Sequence, residues 1–420
     1  MTEKKIKVLT ISDIPISVSG VALQTRIAID ALLESGKFEV ISIGGAMKHK
    51  SYQPMKTEEW GDDWVIYPVD QFGSPEIVRS LIRSHKPDML WFMTDPRFFE
   101  WLWALEDEIR PLMPMVYYHV WDNYPFPQYN FPFYASNDLI ATISKTTDDV
   151  VKNVAPEVWT EYLPHCIDDK IFKPLPEAEV KKARDGNFGE NSDKLIFFWN
   201  NRNARRKLGG SIIVWFKQFL DRVGHDKAML LMHTDPTDMN GPNLNMILDD
   251  HGLNSGQVKF STTKLPPKDL AALYNMVDCT INVSDAEGFG LATLESLSCG
   301  TPILVNLTGG LKDQISDGKN DFGFKLEPVS KSIVGSQQVP YIYEDRVSDK
   351  EFVDMLEKIY NTPREELKKM GLDGREYVLK SFNYDKIRKR WPELLSEVHE
   401  KFGSWENRKG YKTWEIKEIL

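Results

Sequence analysis

Shortages narrow this sequence before any motif does. Across 420 residues there are only three cysteines, Cys166, Cys279 and Cys299. Their spacing fits no zinc module, and an odd, sparse set does not build a disulfide framework. Such usage suits a reducing compartment, with the thiols expected as buried structural groups. Long apolar runs are also lacking: no stretch approaches the roughly 20 apolar residues of a membrane-spanning helix. The opening residues, MTEKKIKVLTIS, contain no extended apolar segment of the kind that directs secretion. A cytoplasmic protein without a transmembrane segment is the expectation. Excess positive charge is missing as well. With 52 Lys and Arg against 62 Asp and Glu, the net charge is −10, whereas nucleic-acid binders usually carry a basic footprint. A local basic cleft is still compatible with that total. Neither a His-Glu-x-x-His motif nor a Walker loop occurs, and no G-x-G-x-x-G follows the first strand, which argues against a dinucleotide cofactor.

What is present is an ordinary globular composition, 41% hydrophobic and 27% charged, on a chain long enough for two domains. Apolar runs at Ile6–Ile11, Phe38–Ile43, Met89–Met93, Met115–His119 and Leu139–Ile143 read as strands. They do not alternate with polar residues, as suits parallel sheets covered on both faces. Leu23, Ile27, Ala28, Ala31 and Leu32 share one helical face, and Gly36 closes that helix. The same alternation restarts with strands at Leu195–Trp199, Met229–His233, Val258–Ser261, Thr280–Val283 and Ile303–Asn306. Helices are expected at Ser211–Val223, Leu270–Met276 and Ala292–Cys299. The stretch 160–193, with Pro164, Pro174 and Pro176, reads as a linker. An α/β protein of two Rossmann-like domains, 1–175 and 190–380, follows. C-terminal helices and a tail over 381–420 are expected to pack back toward the first domain, and 328–348 reads as loop. In such folds ligands bind at the carboxyl ends of strands, so the cleft between domains is the expected site.

The strongest local signal is Glu287-Gly288-Phe289-Gly290-Leu291-Ala292-Thr293-Leu294-Glu295, between a strand and a helix, with Gly300-Thr301-Pro302 after it. Glycines let backbone N–H groups approach a ligand, and a helix N-terminus favours an anion such as a diphosphate. Glu295, early in the helix, can accept hydrogen bonds from a pair of hydroxyls, as on a ribose. Glu287 precedes the turn and is placed to hold sugar hydroxyls or stabilise positive charge. A second signal, Asn200-Asn201-Arg202-Asn203-Ala204-Arg205-Arg206-Lys207, puts four cations at the end of a strand, an anion site or a solvated basic loop. Ser17-Val18-Ser19-Gly20-Val21 follows the first strand with a single glycine. His119 ends a strand and is expected to face the cleft, the alternative being a satisfied core histidine. Trp121, Tyr124, Phe126 and Tyr129 beside it suit either an acceptor platform or core packing. Lys264-Leu265, after the strand ending near Ser261, is expected to border a nucleotide base.

The segment 287–295 resembles the E-x7-E motif of the retaining glycosyltransferases of family four, which have the GT-B fold of two facing Rossmann-like domains with the active site in the interdomain cleft. Arg202 and Lys207 match that family's cation spacing after this strand, although Leu208 intervenes before Gly209. Asp138–Lys145 and Leu163–Asp168 are similar to its strand-to-Ser and linker segments, with His165 and Cys166 as departures. The resemblance implies that Glu287 contacts the donor sugar, that Glu295 binds the ribose, and that Gly288, Phe289, Gly290 and Leu291 hold the pyrophosphate. It further implies that Arg202 and Lys207 neutralise phosphate, with Gly20 and His119 as further donor contacts and Leu265 beside the base. No Asp-x-Asp occurs, so no metal or other cofactor is expected, and the cations and helix end would carry the leaving group. The implied function is transfer, with retention, from a nucleoside diphosphate sugar, UDP favoured, to a hydroxyl of a glycan or lipid-linked glycan. Two alternatives stand beside it. One is a virus-type enzyme in the host cytoplasm that glycosylates hydroxymethylated bases in DNA. The other is a non-catalytic protein that binds a nucleotide sugar or glycan.

Overall fold

The computed structural model describes residues 4–411. The chain divides into two compact units. The first runs to His165 and includes Gly335–Pro340 and the segment from Asp385 onward; the second comprises Cys166–Val334 and Tyr341–Tyr384. The tail expectation for 412–420 lies outside the described residues.

In the first unit eight strands form one sheet: β1 (Ile6–Asp13), β2 (Phe38–Gly45), β3 (Met55–Lys56), β4 (Trp64–Pro68), β5 (Met89–Thr94), β6 (Met115–His119), β7 (Leu139–Thr142) and β8 (Thr160–Tyr162). Their order is β3-β4-β2-β1-β5-β6-β7-β8. Every pairing is parallel except the short edge pair β3 and β4. The apolar runs are buried on both faces, as in β5, where all residues are enclosed. Hydroxyl caps start the helices that follow the strands. Ser19 accepts from the Ala22 N–H at the head of Gly20–Glu34, and Ser144 accepts from the Thr147 N–H at the head of Lys145–Val154. The helix Tyr384–Phe402 brings Trp391 against Trp91 and Tyr118, at centroid distances of 5.8 and 4.9 Å. Such aromatic edges fix one face of a sheet to its covering helix.

The second unit holds a six-stranded parallel sheet. Its strands are β9 (Leu195–Asn200), β10 (Ala228–His233), β11 (Val258–Ser261), β12 (Cys279–Asn282), β13 (Ile303–Asn306) and β14 (Gly323–Leu326), in the order β11-β10-β9-β12-β13-β14. Counted from β9, this is the 3-2-1-4-5-6 order of a doubly wound sheet. Connections leave β9 and β12 toward opposite sides, so a crevice opens at the carboxyl ends of these neighbours. The core beneath it is apolar, built from Phe197, Trp199, Phe216, Phe219, Ile281 and Leu304 among others, all fully buried. Cys166, Cys279 and Cys299 are buried and form no disulfide, and burial pushes the Cys279 and Cys299 thiols up.

Two expectations are corrected. The stretch 160–193 is not a plain linker. It contributes β8 to the first sheet and a helix, Glu177–Phe188, to the second unit. Nor is 328–348 simply loop. It carries an antiparallel pair, β15 (Ser330–Val334) and β16 (Ile342–Arg346). Among the described residues no helix is long and apolar enough to cross a membrane.

Candidate functional site

At the switch point of the second unit, the connections after β9 and β12 meet. Strand β9 ends at Asn200, and a 3-10 turn, Arg205–Lys207, precedes the helix Gly209–Val223. This turn buries Lys207, whose ammonium pairs with the Glu287 carboxylate from the β12 connection. Asn282, the last residue of β12, donates from Nδ2 to the same carboxylate oxygen, Oε2, at 3.3 Å. Both contacts fall on Oε2. An ammonium carries three donors, so Nζ of Lys207 can hold Glu287 and a phosphate oxygen together.

Beyond Glu287 the backbone carbonyls are held by Gly310, Gln314 and Thr293. The Glu287 carbonyl accepts from the Gly310 N–H at 3.0 Å. Nε2 of Gln314 donates to the carbonyls of Phe289 and Gly290 at 2.6 and 3.1 Å, and Thr293 Oγ1 donates to the Gly290 carbonyl at 2.7 Å. In a planar trans peptide the C=O and N–H point opposite ways. Pinning the carbonyls of Glu287, Phe289 and Gly290 therefore turns the N–H groups of Gly288, Gly290 and Leu291 the opposite way, just ahead of the helix Leu291–Ser298. Two glycines make this possible. Gly290 has φ +90°, and a Cβ there would meet Leu311 at 2.6 Å. At Gly310 a Cβ would lie 2.5 Å from the Gly288 carbonyl oxygen. Backbone amides at a helix N-terminus suit an anion.

Glu295 stands in the same helix, buried, with Oε2 accepting from Tyr274 Oη at 2.7 Å. Tyr274 in turn accepts from Asn200 Nδ2 at 2.7 Å, so the end of β9 fixes the glutamate through a tyrosine. Its Oε1 has no partner among the described residues. Burial raises the Glu295 carboxyl to about 7, with the Tyr274 hydrogen bond opposing part of that rise. The ordinary value is 4.5. Between these pH values the native state keeps a proton that the unfolded chain has lost, so stability falls as pH rises through the window and is level above it. The cost at the top of the window is on the order of 3 kcal/mol, and Glu295→Gln removes it. Melting curves of this variant and of the parent should diverge in favour of the variant as pH goes from about 5 to about 7.5. A constant difference across that range would contradict the assignment.

The other expected residues take different places. Arg202 is not brought to Glu287. It is exposed and pairs with Asp238, Nε to Oδ2 at 2.7 Å, because it precedes the turn that buries Lys207. Arg206, half-buried, donates instead to the carbonyl of Ala286, next to Glu287. Leu265 is half-buried in the connection between β11 and the helix Pro267–Met276. In the first unit Gly20 opens the helix after β1, behind the Ser19 cap, and the Ser19 hydroxyl donates to Asp13. His119 ends β6 but does not turn outward as expected. It is wholly buried, with Nε2 2.8 Å from Tyr134 Oη and the rings of Tyr117 and Tyr134 flanking it. Burial drives its pKa down to about 3, so the imidazole is neutral at physiological pH, and Nδ1 has no partner among the described residues. Trp121 is buried, whereas Phe126 is exposed. Gln314 and Tyr274 carried no signal in the sequence, since each acts over more than twenty residues. Among the described residues no group of three His, Cys, Asp or Glu side chains is placed to hold a metal ion.

Comparison with known proteins finds similarity in sequence and in fold. Residues 248–376 match the family described as glycosyl transferases group 1. The chain is 36% identical over 190 residues to D-inositol 3-phosphate glycosyltransferase of Paenarthrobacter aurescens, covering 43% of each chain. It is 26% identical over 190 residues to a GDP-mannose-dependent alpha-(1-6)-phosphatidylinositol monomannoside mannosyltransferase of Mycolicibacterium smegmatis, covering 43% of this chain and 47% of that one. The match thus spans less than half the length of either relative. Among solved structures, sucrose-phosphate synthase of Thermosynechococcus elongatus superposes with a TM-score of 0.75 at 16% identity, over 94% of this chain and all of that one. HepE of Anabaena, in complex with UDP-glucose, gives 0.70 at 15% identity, over 93% of this chain and all of that one. The match to the group 1 glycosyltransferases is thus confined to residues 248–376, and the fold is the GT-B fold of two Rossmann-like units.

Proposed function

We propose that this protein is a retaining, metal-independent glycosyltransferase that moves a sugar from a nucleoside diphosphate sugar, a UDP-sugar in the first place, to a hydroxyl of a glycan or lipid-linked glycan. The observation that carries the reading is the Lys207–Glu287 pair beside the amides of Gly288, Gly290 and Leu291. A cation and a carboxylate meet there just ahead of a helix N-terminus. That combination suits a diphosphate with a sugar attached, because the phosphate charge is met by fixed donors and the sugar hydroxyls by Glu287. Likeness in fold to a protein solved with UDP-glucose supports the UDP donor; a relative named for GDP-mannose makes GDP the donor to test against it.

In the proposed reaction the bond from the anomeric carbon to the phosphate oxygen breaks, and the charge left on the diphosphate is stabilised by Lys207 and the three amides. The acceptor oxygen bonds to the same face of the anomeric carbon, and its proton passes to the departing phosphate oxygen. Glu287 orients the sugar and stabilises the positive charge that grows on it, without forming a bond. Glu295 accepts from the ribose hydroxyls. Arg202 joins the phosphate once it leaves Asp238.

A thermal-shift series with UDP, GDP, UDP-glucose and GDP-mannose, run in excess chelator, tests this directly, since a ligand that binds only the folded form raises its melting temperature. A rise with one nucleotide and its sugar, followed by slow hydrolysis of that sugar without acceptor, is the expected result. Binding without any hydrolysis would favour a non-catalytic binder. Hydrolysis abolished by the chelator would overturn metal independence.

A further inference from the structure

The chain of ions behind Glu287 has no part in the function described so far. Asp285 lies two residues before Glu287, fully buried, and pairs through Oδ2 with the Arg346 guanidinium at the end of β16. Arg346 also holds Glu344 Oε2 at 2.9 Å and donates from Nε to Ser332 Oγ of β15 at 3.1 Å. Glu344, itself buried, takes a two-pronged contact from Arg205, at 2.9 and 2.5 Å. Charges alternate from Arg205 through Glu344 and Arg346 to Asp285. The backbone follows the same line. The Asp285 N–H donates to the Arg206 carbonyl and the Asp285 carbonyl accepts from the Asp345 N–H, both at 2.9 Å. Asn306 Nδ2 ties the carbonyls of Ser284 and Asp345 together, at 2.9 and 3.1 Å.

We propose that Arg346, with Glu344 and Arg205, is a positioning device that sets the Glu287 carboxylate against the donor sugar, and that the β15–β16 pair exists in this fold to carry it. The inference rests on the donor-binding role of Glu287 given above. Two enclosed carboxylates need both arginines, because removal of either leaves an uncompensated buried charge. A planar guanidinium holds Asp285, Glu344 and Ser332 at once, in directions fixed by its rigid fork, which a freely rotating ammonium does not fix. The segment 284–287 is therefore gripped at its backbone and at Asp285, and the acid in it that meets Lys207 is Glu287. Arg205 and Arg206, left without a role by their sequence, serve the same grip, Arg206 through the Ala286 carbonyl.

The readout is the gain in affinity that the sugar adds, the ratio of dissociation constants for UDP and UDP-glucose, or for GDP and GDP-mannose where those bind. Arg346→Met should lower that ratio about fivefold and slow nucleotide-sugar hydrolysis about tenfold, while binding of the bare nucleoside diphosphate changes less than about twofold. In a Glu287→Gln background the same substitution should cost nothing further in the ratio, because Arg346 acts through Glu287; a purely structural role would subtract again. If Arg346→Met does not fold, Arg205→Met removes the exposed end of the chain and should act in the same direction, by about twofold to threefold. An unchanged ratio in a folded variant, or an equal further loss in the Glu287→Gln background, overturns the inference alone. A parent protein that binds neither nucleotide nor its sugar overturns the donor reading on which it stands, and the inference with it.

Discussion

Glu287→Gln should lower turnover of the nucleotide sugar by about 10²–10³-fold while the protein still folds. Glutamine keeps the shape and still offers an oxygen to Lys207 and Asn282, whose contacts otherwise fall on the carboxylate. What it loses is the negative charge, and that charge matters most where positive charge grows on the sugar ring. Interactions that strengthen only at the transition state appear in turnover rather than in binding. Donor affinity should accordingly fall by less than about tenfold, and steady-state kinetics would show the loss almost wholly in kcat. Because the Lys207–Glu287 pair is nearly enclosed, removing its charge also reduces stability, but the polar contact that remains keeps the loss below the roughly 3–5 kcal/mol of a broken buried pair. Near-normal kcat in a folded Glu287→Gln protein would remove this residue from the reacting centre.

Lys207→Ala is expected to act on the other quantity. Its ammonium is the buried cation of the β9 connection, whereas Arg202 and Arg205 are exposed and engaged with Asp238 and Glu344. A hydrogen bond to a charged group contributes about 1.5–3 kcal/mol, and every 1.4 kcal/mol is a tenfold change in affinity. Alanine also leaves Glu287 without its countercharge beside the place where a diphosphate would arrive, so repulsion adds to the lost contact. Nucleoside diphosphate binding should weaken by about 100-fold, with the amides of Gly288, Gly290 and Leu291 retaining the remainder.

Local patterns made much of this legible in advance. Apolar runs gave ten of the strands their places, because a strand buried on both faces, such as β5 or β6, must be apolar throughout. The glutamates, the glycines between them and Lys207 were readable because each lies within a few residues of a strand end. Other features depend on partners far along the chain. Arg205 meets Glu344 across 139 residues, and nothing near either one signals the other. Strands β15 and β16 left no apolar run to read, because Ser330, Lys331, Ser332, Glu344, Asp345 and Arg346 make up most of them. Strand β8 is three residues at a sheet edge, framed by prolines that suggest a linker. Arg202 and His119 show a different limit: spacing placed both at strand ends, but Asp238 and Tyr134 decide where their side chains lie.

The central claim is that a diphosphate is held by Lys207 and the amides that open the helix Leu291–Ser298. Calorimetric titration of UDP and of uridine into the parent and into Lys207→Ala tests it most directly. The substitution should weaken UDP by about two orders of magnitude and leave uridine essentially unaffected. Equal affinity of the two proteins for UDP would contradict it.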